Sequence, residues 1–207
     1  LRHLVTQGCI YDQKLLYDRF PNELIPFDYD EFFRHADGFE MVTTNCLTGR
    51  SEYLRETQRN RQRAIDICRA SSSLPYVSKI VMVDGQPMLD GGIIDSIPVQ
   101  HAMATGHPFN VVISTRNYGF REDGSDRKIP YFIYKNYPRL RVALSHRIKA
   151  YNTQLQMVED LERQGRIICI RPKRPMEVRR IEKNVERLER LYEEGFQLGE
   201  EFAVGVR

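Results

Sequence analysis

The segment MLDGGIID, residues 88–95, contains the residues of this sequence that are best placed to do chemistry. It sets two adjacent glycines directly after Asp90 and ends on a second carboxylate, Asp95. A turn is the simplest interpretation, because glycine adopts backbone angles that other residues avoid and Asp is common where chains reverse. The alternative is an active-site loop, in which the thin backbone of Gly91 and Gly92 lets a reacting group approach the Asp90 carboxylate at a strand end.

Metal binding is a second chemistry that the carboxylates suggest. Asp84, Asp90 and Asp95 lie close together in sequence, but an EF-hand loop needs oxygen ligands at alternate positions and a glycine at the sixth, and their spacing differs from that. We therefore expect no metal and no other cofactor, with Asp95 as a helix cap and Asp84 as a turn residue. The histidines show no paired ligand spacing either; they are His3, His35, His101, His107 and His146.

Length and composition indicate a globular protein with an ordinary core. The 207 residues correspond to one large domain or two small ones, and 41% hydrophobic with 29% charged residues excludes the disordered class. Lys plus Arg number 31 against 28 Asp plus Glu. The resulting net charge of +3 is too small to indicate a nucleic-acid partner.

Cysteines and apolar runs bear on where the protein works. Cys9, Cys46, Cys68 and Cys169 lie far apart without a Cys-x-x-Cys pair, which favours reduced thiols in the cytoplasm. No apolar run approaches the roughly 18 residues of a membrane span. The chain begins LRHLVTQG, without a signal-peptide core or an initiator methionine, and we expect it to be a piece of a longer protein.

Helix and strand signals alternate along the chain, which predicts an α/β fold with a layered sheet and helices on its faces. Strands are expected at residues 39–49, 79–92 (a hairpin around Asp84-Gly85), 109–115 and 166–172. Helices are expected at residues 11–20, 27–38, 59–73, 95–106 and 138–165, followed by a final helix marked by Val178, Ile181, Val185, Leu188, Tyr192 and Phe196.

Local signals define some of these boundaries. Asp28 or Asp30 is expected to cap the second helix. Asp95 or Ser96 is expected to cap the fourth helix, which would contain Pro98 in its first turn. The near-continuous apolar run FNVVIST predicts a strand that is covered on both faces.

The segment from Arg69 to Gly106 resembles the active-site segment of the patatin-like phospholipases. In that family an Ala-Ser-x-x-x-Pro stretch leads into a strand, an Asp-Gly turn, and an Asp-Gly-Gly followed by a hydrophobic pair, a polar residue and Pro. The flanking strand MVTTNCLTG is similar to the family strand that precedes this segment, and the helix, strand, Arg-Pro and helix of the tail are similar to the bacterial branch. The resemblance therefore covers most of residues 22–200. The matching elements stand here in the family's order: Ala70-Ser71, Pro75, Asp84-Gly85, Asp90-Gly91-Gly92, Ile93-Ile94 and Ile97-Pro98-Val99.

The resemblance implies both a fold and an activity. The fold would be a layered α/β/α patatin-like sheet, present here in part as residues 1–136, with a C-terminal helix-strand-helix extension in residues 137–207. The activity would be hydrolysis of lipid acyl esters, of the phospholipase or lysophospholipase type, by a Ser-Asp dyad with a backbone oxyanion hole. By position in the motif, Asp90 would be the catalytic aspartate, and Gly91 and Gly92 would form the active-site loop beside it.

One part of the family pattern is missing. The family nucleophile lies in a Gly-x-Ser-x-Gly elbow, with a glycine-rich oxyanion loop upstream. Neither motif occurs in these 207 residues, and the nearest stretch, Gly49-Arg50-Ser51-Glu52-Tyr53, lacks the second glycine. We therefore expect the serine and the oxyanion loop in a preceding segment, and the 207 residues alone to be inactive as an enzyme.

A basic cluster supports a second, non-catalytic interpretation. A solvated face is its simplest role, and contact with anionic lipid headgroups is the alternative. The chain would then be an interaction or membrane-surface binding module, with the tail from Pro138 making partner or homo-oligomer contacts. The expected partners are thus a lipid or acyl-ester substrate and, peripherally, a membrane. The cluster consists of Arg171, Lys173, Arg174, Arg179, Arg180 and Lys183, of which the first five are the candidate headgroup contacts.

Overall fold

The computed structural model describes residues 12–124, 128–178 and 182–205. The chain is mixed α/β, as predicted. It forms two compact units, one made of Leu1–Ser96 and Gly124–Tyr151 and the other of Ile97–Asp123 and Asn152–Arg207. These units do not decide whether the catalytic part ends at residue 136, so that division stays a prediction.

The first unit is built around a four-stranded sheet in the order β2-β1-β4-β3, with every neighbouring pair antiparallel. A π-helix, Leu15–Leu24, and α1, Tyr29–His35, precede the sheet. The remaining elements of the unit are β1 (Met41–Asn45), β2 (Arg50–Leu54), α2 (Arg61–Ser71), β3 (Val81–Val83), β4 (Gln86–Asp90) and the first part of a long helix, Pro138–Arg163.

Helices cover both faces of this sheet. Successive strand residues point to opposite faces, and Met88 and Leu89 of β4 accordingly belong to different core clusters. Met88 packs with residues of α2 and β3 in a cluster of Ile67, Ala70, Val81, Val83 and Met88. Leu89 packs with the long helix in a cluster of Cys46, Leu89, Ile93, Leu140, Ala143 and Leu144. The predicted α/β/α layering is therefore present, around an antiparallel sheet.

Two tight hairpins connect the strands. In the β3–β4 turn Asp84 and Gly85 have φ values of 51° and 75°, the combination that a two-residue type I′ turn requires, so the predicted hairpin is confirmed. The β1–β2 hairpin begins at Asn45, whose Oδ1 accepts the N–H groups of Leu47 and Thr48 at 2.9 and 3.2 Å. The strand β2 was not predicted, because its sequence RSEYL is too polar for an apolar strand signal.

The second unit contains a parallel pair of strands and three helical segments. Its elements are α3 (Val99–Ala104), β5 (Asn110–Ile113), the C-terminal part of the long helix Pro138–Arg163, β6 (Ile167–Ile170) and α5 (Val185–Gly205). The whole long helix, Pro138–Arg163, is named α4. The strands β5 and β6 pair in parallel with Val112 opposite Cys169. One face of the pair is covered by a core of Val99, Val112, Val158, Leu161 and Ile167.

The other face of β5 contradicts the sequence prediction. Val111 and Ile113 are 47% and 78% exposed, whereas the apolar run had predicted a strand covered on both faces. The core around Val112 contains residues of α3 and of the long helix. An apolar run predicts that a strand is buried. It does not predict on which faces of the strand other helices or strands will pack.

The helix boundaries agree with the sequence in part. Asp28 caps α1 by accepting the N–H of Glu31 at 2.8 Å, as predicted. Neither Asp95 nor Ser96 caps α3, because Pro98 occupies the N-cap position and no side chain bonds there. The final helix begins at Val185, after Val178, and Ile181 lies outside the described residues. Within the described ranges, none of the helices combines the length and apolarity that a membrane crossing demands.

Candidate active-site loop

The backbone of Asp90 is held at the end of β4 from both sides. Its N–H donates to the carbonyl oxygen of Ser73 at 3.0 Å, and its carbonyl oxygen accepts the Thr44 hydroxyl at 2.9 Å. Thr43 of β1 lies opposite Asp90 in the sheet register. The strand therefore delivers Asp90 to a fixed position, from which the chain turns into the 3-10 turn Gly91–Ile93.

Close contacts surround both glycines after Asp90, and at Gly91 the contact is with backbone. A Cβ on Gly91 would lie 2.4 Å from the carbonyl oxygen of Val42, a contact with backbone that no side-chain rotation can relieve. A Cβ on Gly92 would lie 2.9 Å from Oδ1 of Asp90. The Gly92 N–H instead donates to that oxygen at 2.6 Å. The pair thus lets the loop pass close to β1 and gives the Asp90 carboxylate a backbone donor.

The carbonyl groups of the same glycines are also fixed. The Gly91 carbonyl oxygen accepts the N–H groups of Ile94 and Asp95 at 3.1 and 2.9 Å. The Gly92 carbonyl oxygen accepts hydrogen bonds from the Ser96 hydroxyl at 3.0 Å and from Nε of Arg147 at 3.2 Å. Each peptide group of the loop therefore has a hydrogen-bonding partner. Arg147, which binds the Gly92 carbonyl oxygen, lies on the long helix and is 55 residues from Gly92 in sequence.

Asp95, at the far end of the motif, has a different role from the predicted helix cap. Its Oδ2 accepts the hydroxyl of Tyr53 from β2 at 2.5 Å. Burial, and then the hydrogen bond to Asp95, raise the pKa of Tyr53, so the phenol keeps its proton at neutral pH. Ser51, the serine of the incomplete elbow, lies in β2 opposite Thr44 and not on a strand-to-helix turn.

Asp84 does more than form a turn. Arg63 of α2 binds both of its carboxylate oxygens, with Nη2 to Oδ2 at 2.8 Å and Nε to Oδ1 at 3.0 Å. Arg63 also donates to Glu56 at 2.8 Å. The Arg63 hydrogen bonds lower the pKa of Asp84. For Glu56, burial alone would raise the pKa, but the bonds from Arg63 and two backbone N–H groups outweigh it and lower the pKa. The predicted turn residue is therefore part of an ion-pair network of Arg63, Asp84 and Glu56, which we call the charged anchor.

The basic cluster is partly neutralised in the structure. Arg171 pairs with Glu162 and lies over the Tyr118 ring, with 5.2 Å from its guanidinium carbon to the ring centre. Lys173 pairs with Glu201 at 2.8 Å. Arg174 lines a cavity of about 590 Å³ formed with α5, and both acidic and basic side chains line this cavity. Arg179 and Arg180 lie outside the described residues.

Asp90 does not line the cavities described below, and Cys46 packs beside the loop in the core cluster of Leu89 and Ile93. An apolar cavity of about 770 Å³ is lined by the π-helix, α1 and α2, and Asp90 lines neither it nor the polar cavity beside α5. Burial raises the pKa of the Cys46 thiol to about 12, which leaves it unreactive as a nucleophile. Over the part of the chain that the structure describes, His, Cys, Asp and Glu side chains form no group of three able to hold a metal ion.

Several residues that fix the loop escaped the sequence analysis. Thr44 and Ser73 fell within the segments that carried the resemblance, but no signal assigned them to Asp90. Arg147 carried no signal at all, because it is one of several arginines on a long amphipathic helix. Tyr53 lies in the incomplete Gly-x-Ser-x-Gly stretch, and no sequence signal pairs it with Asp95. Long-range pairing of this kind becomes visible only when the register of the strands is known.

Two family models match the chain. Residues 1–103 match the model of the patatin-like phospholipases, and this match includes Asp90 and both glycines. Residues 137–204 match the model of a domain of unknown function, DUF6363. Among curated proteins, none matches this chain.

Proposed function

We propose that Asp90 is the general base of a Ser-Asp dyad that hydrolyses lipid acyl esters. The proposal starts from the family match, since residues 1–103 place the chain in the patatin-like phospholipase family. Lipid hydrolysis in general goes with the family; the dyad, the role of Asp90 and the ester class are our proposal. The serine and the oxyanion donors come from outside the 207 residues, since the sequence has no Gly-x-Ser-x-Gly elbow.

One observation carries this proposal: the Asp90 carboxylate is oriented by the backbone of its own loop. The Gly92 N–H holds Oδ1 at 2.6 Å, and Gly91 brings the loop so close to Val42 that no side chain fits between them. A base must be held within hydrogen-bond reach of the proton that it takes. A carboxylate fixed at a strand end, with its main chain bonded on both sides, supports the role of a base that is held in one position.

The reaction would proceed in two stages, acylation of the serine and then hydrolysis of the acyl-enzyme. Asp90 takes the proton of the serine hydroxyl while the serine oxygen bonds to the ester carbonyl carbon, and backbone N–H groups stabilise the oxyanion. The alcohol then leaves with the proton from Asp90, which gives an acyl-enzyme. A water molecule, deprotonated by Asp90, attacks the acyl group, the serine oxygen leaves with that proton, and the fatty acid is released.

The test compares hydrolysis of a p-nitrophenyl acyl ester by the 207-residue chain and by a chain extended upstream to include the serine elbow. We expect only the extended wild type to turn over, and Asp90→Asn to lower its kcat by roughly 1,000-fold or more, since loss of a dyad member removes the activation of the nucleophile. Asp37→Asn is the matched control, because Asp37 is an exposed carboxylate on the same unit. Activity of the 207-residue chain that survives Asp90→Asn would overturn the assignment.

The non-catalytic alternative draws on the basic cluster and predicts binding to anionic lipid. Arg171 and Lys173 already pair with Glu162 and Glu201, which leaves less positive charge for a headgroup. Co-sedimentation with vesicles of rising phosphatidylserine content measures this directly, with Arg174→Gln against Lys135→Gln as the control. Binding that rises with anionic lipid and falls only in Arg174→Gln would favour the module, and sedimentation velocity on the same samples reports self-association.

A further inference from the structure

We infer that Arg147 is a positioning residue for Asp90, acting through the carbonyl group of Gly92. This inference rests on the proposed role of Asp90 and deepens it. Arg147 donates from Nε to the Gly92 carbonyl oxygen at 3.2 Å, while the N–H of the same glycine donates to Oδ1 of Asp90 at 2.6 Å. The long helix Pro138–Arg163 thus contacts the residue that orients the base.

The argument begins with the freedom of Gly92. The Gly92 N–H belongs to the planar peptide group that also contains the Gly91 carbonyl, and this group is joined to the next one through the two torsions of Gly92, which are unusually free in glycine. The preceding peptide group is held by Ile94 and Asp95, which donate to the Gly91 carbonyl oxygen. The following peptide group is held by Ser96 and Arg147. Arg147 therefore holds the peptide group on the far side of the two Gly92 torsions, and this limits rotation of the peptide group whose N–H donates to Asp90.

Ser96 and Arg147 hold that carbonyl in different ways. Ser96 follows Gly92 by four residues and belongs to the same short segment, so it moves with the loop. Arg147 belongs to α4, and it follows Leu140 by seven residues and Ala143 by four, which places the three on one helix face. Leu140 and Ala143 lie in the core cluster that also contains Leu89 and Ile93, the residues on either side of the Asp-Gly-Gly turn. Arg147 thus ties the loop to an anchored helix.

The test is a pair of substitutions at Arg147. Arg147→Met keeps the aliphatic stem and removes the donor, whereas Arg147→Lys keeps a donor. In the extended, active chain we expect Arg147→Met to lower kcat roughly tenfold with KM within about twofold, inside the ~100-fold that misplacing a catalytic group can cost. Arg147→Lys should recover part of the loss. Lys149→Met, an exposed charge on the same helix, should leave both parameters unchanged.

A measurement without catalysis separates this inference from the proposed function. Amide hydrogen exchange of the 207-residue chain should accelerate roughly tenfold at residues 91–95 in Arg147→Met and not in Lys149→Met, because the opening is local. If the extended wild type fails to hydrolyse the ester, the proposed function fails and the exchange result still decides whether Arg147 holds the loop. The inference is overturned if exchange at residues 91–95 is unchanged, if it accelerates equally throughout the unit, or if Arg147→Lys is no better than Arg147→Met.

Discussion

The two compact units treat their sheets differently. In the first unit a four-stranded antiparallel sheet has helices on both faces, and Leu89 of its central strand is completely buried. In the second unit the strand β5, which pairs in parallel with β6, has Val112 buried on one face and Ile113 78% exposed on the other. The helix α5 of the second unit likewise has an exposed apolar row, formed by Val185, Leu188, Tyr192 and Phe196.

This difference shows where the molecule fixes side chains precisely. The Asp90 loop belongs to the unit with two covered faces, and its position is determined by β1, by Ser73 and by Arg147 at once. Close-packed interiors transmit small displacements, so such a loop is sensitive to changes of a single methyl group. In the second unit, none of the described side chains of α5 is buried. Substitutions on this helix should therefore be tolerated.

The largest expected difference is between two leucines on helices. Leu140 is fully buried in the core cluster of the first unit, and Leu188 is 44% exposed on α5. We expect Leu140→Ala to lower the free energy of unfolding by about 4 kcal/mol, in the upper range for buried Leu→Ala changes. Leu188→Ala should cost less than about 0.5 kcal/mol. Urea unfolding followed by circular dichroism measures both, and equal losses would remove the contrast between the units.

The next test concerns the Asp-Gly-Gly turn itself. Gly91→Ala should destabilise the chain by about 3 kcal/mol, because its new Cβ would meet the Val42 carbonyl group and the backbone must shift. Gly38→Ala is the matched control, since a Cβ at Gly38 would have no atom within 4 Å. The two melting temperatures should separate by several degrees. If the Gly91→Ala protein were as stable as Gly38→Ala, the close approach of loop and β1 would be wrong.

The charged anchor of the first unit gives a pH dependence. Glu56 is 2% exposed, and its folded-state pKa lies below the ordinary value of 4.5, so its contribution is complete above that pH and is lost as the pH falls through the folded pKa. We expect the stability of wild type to fall between about pH 5 and pH 3. Glu56→Gln should cost about 2 kcal/mol at pH 7 and flatten this dependence. Glu189→Gln, on the exposed side of α5, should retain the wild-type profile.

Local signals predicted much of the fold. The Asp28 cap, the Asp84-Gly85 hairpin and the long helix from Pro138 each depend on residues close in sequence, and the structure contains all three. The strand β2 was missed because its polar residues pair with β1 without an apolar alternation. The exposed face of β5 was missed because an apolar run cannot tell how many elements will cover it.

The candidate site was predictable to a smaller extent. The motif singled out Asp90, Gly91 and Gly92, and the contacts of the glycines give a physical reason for their type. The partners that hold the loop come from positions 73, 44 and 147, distant in sequence and without a shared spacing. Asp95 looked like a helix cap because Pro98 follows it, yet its carboxylate binds Tyr53. Such pairs follow from strand register and helix packing, which sequence patterns do not encode locally.

The smallest expected effect has the opposite sign and comes from α5. Gly195 lies inside this helix, and a Cβ there would have no atom within 4 Å. Gly195→Ala should therefore stabilise the chain by about 0.5–1 kcal/mol, because alanine loses less backbone entropy in a helix and finds free space. The same change of type at Gly91 is destabilising, so the two variants compare the units directly. A destabilising Gly195→Ala, measured by urea unfolding, would mean that this face of α5 is packed closely against another surface in solution.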